Sequence, residues 1–179
     1  MLSLVDELLQ YREPDCPLPF DRSQVQGYSE AELLEISKNY NLSIHEDFRR
    51  LLLEMGRCSG GLLWGWDLSI YNDFYSSDRY GRMQTAWKED EYYSQSTGYR
   101  DPVKHQMLLL ATVSDTYNYL LFTDDNSLWW HDENECSTGP MHLTFMEYLI
   151  SCVNDYNKPW RGVPICDRLV KCQTYGRLL

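Results

Sequence analysis

Only three stretches of this chain bring reactive side chains close enough together to suggest chemistry. His131-Asp132-Glu133-Asn134-Glu135-Cys136 sets imidazole, carboxylates and a thiol side by side, as a metal site would. Zinc sites space their ligands in separated pairs, and a calcium loop alternates oxygen ligands around a central Gly. Neither pattern is present, so the competing reading is a solvated acidic loop after a strand. Cys58 lies in a Gly-rich segment, and His45, His105, His131 and His142 could each serve as its base. A Cys–His nucleophile needs one base oriented by a third group, and no spacing selects a pair. Gly56-Arg57-Cys58-Ser59-Gly60-Gly61 resembles a phosphate loop in its glycines but lacks the closing Lys-Ser/Thr. A tight turn at Gly60-Gly61 accounts for it. No acid–base–nucleophile set emerges, and neither an enzyme nor a cofactor site is expected.

The bulk composition directs attention to binding instead. The chain has 179 residues, 43% hydrophobic and 24% charged, which is ordinary for one domain with a real core. Aromatic residues make up 14%, with 14 tyrosines, a type favoured both in cores and at recognition surfaces. The formal charge of −11 argues against direct nucleic-acid binding, which needs a basic footprint, and permits a basic protein partner. No apolar run is long enough for a membrane span. The start, Met1 to Glu7, has no basic region and meets acids early, unlike a secretory signal. Six dispersed cysteines without a CxxC pair suit reduced thiols in a cytoplasmic protein.

The elements that must position any site follow from periodicity. Residues 2–10 predict a short helix with Leu2, Val5, Leu8 and Leu9 on one side, ended by a connector holding Pro14, Pro17 and Pro19. Ser29, with Glu32 three residues on, predicts the capped start of a second helix, broken at Asn39-Tyr40-Asn41. The third and strongest helix places Phe48, Leu51, Leu52 and Met55 on one stripe, with Ser43 as the expected N-cap and Gly56 as a left-handed C-terminal stop. An apolar turn and strand, Gly60 to Leu68, follows. Residues 69–104 are irregular: either a surface excursion pinned by its aromatics or a partner-binding segment, with a helix possible over 82–93. Three strands are expected at Met107–Ala111, Tyr117–Phe122 and Ser127–Trp130, the last two joined by turn chemistry at Asp124-Asp125-Asn126. Thr144 with Glu147 caps a final helix. The fold class is therefore α+β: a central, mostly antiparallel sheet, helices at its N-terminal side and a closing C-terminal helix. Phe48, Leu51, Leu52, Leu109, Leu121 and Leu149 are expected to be buried together.

The helix Asp47 to Gly56, the Gly60-Gly61 turn into Trp64-Gly65-Trp66-Asp67-Leu68, the meander Met107 to Trp130 and the final helix with Phe145 and Tyr148-Leu149 resemble the SMI1/KNR4, or SUKH, superfamily. The resemblance runs over about residues 28 to 153. Ile44-His45 and Met55-Gly56 stand where Leu-Pro and Asn-Gly are usual. On this basis residues 1–27 form an N-terminal helix and connector, 28–156 the SUKH-like domain, and 157–179 a basic tail packed on it. The resemblance implies a non-enzymatic binding domain. Bacterial members are mostly immunity proteins that neutralise polymorphic or contact-dependent toxins, often nucleases. Fungal members are regulatory scaffolds, which is the alternative reading; a small hydrolase is a distant third.

Charge distribution then supplies candidate partner-binding residues. No Lys or Arg occurs between Lys104 and Lys158, whereas Asp124, Asp125, Asp132, Glu133 and Glu135 fall in that interval, and these acids could cluster along one edge of the sheet. Glu89-Asp90-Glu91-Tyr92-Tyr93 adds acids beside aromatics, as an interface rim and anchor would. Trp129 and Trp130 are adjacent on a strand, so one should face the core and the other outward, which limits the available anchors; Trp130 is the candidate. Solubility alone is the competing explanation for the acids. Beyond residue 157, Lys158, Arg161, Arg168, Lys171 and Arg177 stand against Asp167 alone, a tail expected to dock on the acidic body. Elemental analysis of protein purified without chelator should find no stoichiometric metal. Zinc or calcium lost on mutating Asp132 and Glu135 would overturn that expectation.

Overall fold

The computed structural model describes residues 2–16, 19–63, 68–71, 75, 81–82, 106–112, 117–132, 134–135, 137–154 and 178–179. Four helices are described: α1 (Leu4–Leu9), α2 (Glu30–Tyr40), α3 (Glu46–Met55) and α4 (Phe145–Val153). They accompany a four-stranded antiparallel meander in the order β1-β2-β3-β4: β1 (Met107–Thr112), β2 (Tyr117–Phe122), β3 (Ser127–Asp132) and β4 (Ser137–Pro140). This is the expected α+β architecture with a closing helix.

The helices form where local chemistry favours them. Ser29 and Glu32 make a reciprocal capping box at α2, and Thr144 and Glu147 make another at α4. Asn41 ends α2 in the left-handed region, at φ 51°, which Asn tolerates better than most residues. Helix α1 has only six residues and leans on α3: the Glu54 carboxylate accepts the Leu4 and Val5 amides at 2.6 and 3.3 Å. Its buried residues are Leu4, Val5 and Leu8, while Leu2, expected on that side, is exposed.

Both ends of α3 depart from expectation. The N-cap is His45 rather than Ser43, and it makes no side-chain capping bond. Ser43 is engaged elsewhere: its hydroxyl donates to the Gln106 side chain and its amide donates to Thr123 Oγ1 at 3.1 Å. Gly56 is right-handed at φ −61°, not a left-handed stop. It is Gly because of a close approach: a Cβ there would lie 2.7 Å from the Tyr28 ring and 2.6 Å from the Leu52 carbonyl oxygen. The left-handed residues come later, at Gly60 and Gly61, in the expected tight turn. Leu62 and Leu63 are buried but not in a strand, held by Ser59, whose hydroxyl donates to the Leu63 carbonyl and accepts its amide. Residues 64–67 and the helix expected over 82–93, apart from its first residue, lie outside the described residues.

One core joins these elements. Phe48, Leu51, Leu52, Leu109, Leu121 and Leu149 are all buried in it, with α1, α2 and Leu178 contributing. Phe48 meets Phe145 edge-on at 6.0 Å, linking α3 to α4, and Tyr148 of α4 meets Tyr119 of β2 at 5.9 Å. Helix α4 therefore lies over the sheet face that carries Tyr119. The fourth strand was not expected from Ser137-Thr138-Gly139-Pro140, which has neither alternation nor β-formers apart from Thr138; pairing with β3 holds it, and Pro140 is tolerated because β4 ends the sheet.

Two stability measurements follow. Leu52→Ala should cost about 2–5 kcal/mol in chemical denaturation, since the side chain is fully buried; a loss well under 1 kcal/mol would remove Leu52 from the core. The capping carboxylates should set part of the acid limb. Glu32 and Glu147 are both held below the usual carboxylate range, first by the amides of Ser29 and Thr144 and then by those residues' hydroxyls. Their stabilisation is full above the unfolded Glu value of about 4.3 and is lost as pH falls through the lower folded values. A Glu32→Gln, Glu147→Gln variant should melt lower than wild type at neutral pH and converge with it once both carboxyls are protonated. Parallel curves at all pH values would contradict this.

Candidate functional site

The sequence-derived site residues fall into three groups. Glu89, Asp90, Glu91, Tyr92, Tyr93 and Glu133 lie outside the described residues. Asp124 and Asp125 are exposed in the β2–β3 turn. Trp130, Asp132 and Glu135 belong to the far end of β3 and the loop beyond it. Because Phe122 pairs with Ser127 at one end of the hairpin and Tyr117 with Asp132 at the other, the two acidic groups are separated by the length of β3, about 17 Å. They do not form one cluster, although a single interface of ordinary size could cover both.

The two ends have different surroundings. At the turn, Asp125 Oδ1 accepts the Ser127 amide at 3.0 Å, and Asn126 stands in the left-handed region at φ 56°. The Asn126 side-chain amide donates to Glu46 Oε2 at 2.9 Å and lies 3.2 Å from His45 Nδ1. This end is tied to the start of α3, where acidic residues are favourable beside the helix N-terminus. Turn and helix chemistry thus account for much of what the acids do there.

The other end is aromatic. Strand alternation puts Tyr117, Tyr119, Trp130 and Asp132 on one face, with Tyr117 directly opposite Asp132 and Tyr119 opposite Trp130. The rings of Tyr117 and Trp130 are nearly parallel, 7° apart with centroids 6.0 Å apart, and Tyr119 meets Tyr117 edge-on at 5.8 Å. Gly139 on β4 pairs with Trp130, and a Cβ there would stand 2.7 Å from the indole, so the ring rests on bare backbone. Trp130, Tyr117, Tyr119 and Asp132 are all half-buried. The Tyr117 phenol is pushed up, first by burial and then by Tyr119 and the Asp132 carboxylate. Asp132 Oδ1 accepts the amides of Asn134 and Glu135 at 2.9 and 3.4 Å. Trp129 takes the opposite face, as alternation requires: it meets Phe122 edge-on and its Nε1 donates to Ser127 Oγ.

The same alternation separates the members of the apparent metal cluster. His131 is buried, 2% exposed, on the face opposite Asp132. Among the described residues, no group of three or more His, Cys, Asp or Glu could hold a metal. Cys58 is buried in its turn with the Gly60 amide donating to its sulfur at 3.4 Å, and His45 is occupied at the other side of α3 beside Asn126. An open groove of about 680 Å³ runs beside α2, lined by Glu32, Glu35, Tyr40, Tyr75 and Leu178 among others. Glu32 is already committed there, to the α2 cap and to Arg57.

Tyr117, Tyr119 and Gly139 were not singled out by sequence reasoning. The signal existed: counting outward from the Asp124–Asn126 turn pairs Phe122 with Ser127 and therefore Tyr119 with Trp130. Gly139 could not be reached this way, because its strand was not evident.

These features meet the comparison with known proteins. The model of the SMI1 / KNR4 family (SUKH-1) matches residues 27–151, and the chain belongs to that family. No curated protein and no solved structure gives a match. SUKH domains are in general immunity or binding proteins rather than enzymes. No helix among the described residues is long and apolar enough to cross a membrane.

Proposed function

We propose that this protein is an immunity protein that binds and neutralises a cognate polymorphic or contact-dependent toxin domain, a basic nuclease. The observation that carries this reading is the acid excess along the hairpin of a SUKH domain: residues 105–157 contain no Lys or Arg, and Asp124, Asp125, Asp132 and Glu135 lie on exposed or half-exposed turns and strand ends. A nuclease must present cations to its phosphate substrate, and an acidic protein competes for that surface. Charge complementarity of this kind speeds encounter more than it slows release.

The test is co-expression with the product of the reading frame adjacent to this gene. Growth rescue and a purified complex are expected. Combined Asp124→Asn, Asp125→Asn, Asp132→Asn and Glu133→Gln substitutions should slow association about tenfold or more at low ionic strength and flatten its salt dependence. A toxic product that is not neutralised would overturn the reading. An unchanged association rate and salt slope would assign these acids to solubility and place the contact on another face.

A further inference from the structure

The two acidic ends of the hairpin are not equivalent. We infer that the sheet face at Trp130, Tyr117 and Asp132 is a docking site for an arginine side chain projecting from the partner protein. This deepens the reading above and rests on it for the identity of the partner, not for the chemistry of the site.

Three observations carry it. First, the aromatic pair is half-exposed and held in place. Trp130 stacks with Tyr117, sits against the bare backbone of Gly139, and lies opposite Tyr119, which is itself braced by Tyr148 of α4. A rigid, incompletely buried aromatic surface is the kind of residue set that dominates interface energetics. Second, an acceptor stands on the same face: the Asp132 carboxylate, which pairs across the strands with Tyr117 on one side and Ser137 on the other. Third, residues 105–157 contain no Lys or Arg, and among the described residues none of the ion pairs involves Asp132.

Those features select a cation that is flat and forked. A guanidinium can lie on an indole or phenol face and donate to a carboxylate at the same time; an ammonium, a strongly hydrated point charge, does the second better than the first. The turn end is built differently: its nearest indole, Trp129, lies on the opposite face, edge-on to Phe122 and donating to Ser127 Oγ, and Asn126 is engaged in holding the turn to α3. Its charge can steer a partner, while its rings are engaged within the sheet.

Two measurements test this on the full chain. In the first, acetyl-Gly-Arg-Gly-amide is titrated while the Trp130 indole N–H is followed by NMR, with the lysine and citrulline counterparts as controls. The arginine peptide should shift the Trp130 signal, the lysine peptide less and the uncharged citrulline peptide hardly at all. Asp132→Asn should abolish the difference, and Asp124→Asn with Asp125→Asn should leave it intact. Equal shifts from arginine and citrulline, or none at Trp130, overturn the proposal. In the second, the complex with the adjacent-frame toxin is measured with Gly139→Ala, which displaces the indole without changing charge, and with Trp130→Ala, which keeps the β4 backbone as it is. Each should weaken binding at least about tenfold, mainly through faster dissociation, whereas the Asp124–Asp125 pair should act on association. A wild-type complex that tolerates both variants overturns the docking site and leaves the immunity reading standing. An arginine-specific response at Trp130 without any toxin complex supports the site and overturns the immunity reading instead.

Discussion

Four side chains on one side of α3, Phe48, Leu51, Leu52 and Met55, are wholly withdrawn from water, and the surrounding elements are arranged to keep them so. Helix α4 covers Phe48 through Phe145, and the segment before α2 crosses at Tyr28, whose amide donates to the Leu52 carbonyl at 2.9 Å. The last turn of a helix has carbonyls without intrahelical partners. Here Tyr71 donates its hydroxyl to the Met55 carbonyl at 2.6 Å, and the burial this requires raises its phenol well above its ordinary range. The polar rim of α3 does the same work for its neighbours: Glu54 holds the start of α1, Arg50 pairs with Glu7 at 2.7 Å and with Asp47 at 3.1 Å, and Arg49 pairs with Glu30. The exposed members of that set contribute little individually. They orient helices whose stability comes from the buried stripe.

The helix stripe was legible because every one of its positions repeats at helical spacing, and the capping boxes were legible because both partners lie three residues apart. What the sequence did not disclose depends on contacts distant in sequence. His45 replaces Ser43 as the α3 cap because Ser43 is drawn to Gln106 and Thr123, 63 and 80 residues away. Gly56 reads as a left-handed stop, but it is small because Tyr28 crosses it. Strand β4 has almost no propensity of its own and exists because β3 offers it an edge. The candidate site was half-legible for the same reason: carboxylates and Trp130 stand out in a sequence, whereas the ring stack and the glycine beneath it arise only from register.

Acidic residues in this chain have more than one duty, which is why an acid map is a poor guide to a binding surface. Glu32 and Glu147 cap helices, Glu54 caps α1, and Asp21 and Asp125 close turns through the amides of Ser23 and Ser127. Such groups would be selected whether or not a partner existed. The hairpin shows the distinction most clearly. Its turn end is explained by its attachment to α3. Its far end holds an incompletely buried indole over a glycine, and of the two β3 indoles it is Trp129, not Trp130, that packs against the core.

In the proposed reading, folding and partner recognition are linked through protonation. The capping carboxylates Glu32 and Glu147 stabilise the helices only while ionised, as their lowered folded values show. The negative field that would steer a basic partner also depends on ionised carboxylates, so acidification weakens the scaffold and the attraction together. The rings at the far end of the hairpin, unlike the Asp132 carboxylate beside them, do not share that dependence. Tyr117 stays neutral far above neutral pH, because burial and the nearby Asp132 carboxylate both disfavour the phenolate. Contacts made by Tyr117 and Trp130 therefore persist while the steering field fades. An interface built from both components has an association rate set by charge and a lifetime set by the rings. A separation of that kind requires the rings to be fixed before the partner arrives, since a preformed surface avoids the ordering cost of a mobile one. The backbone pairing of β2, β3 and β4 provides that fixity, and α3, through the helices and turn attached to it, holds the hairpin in place.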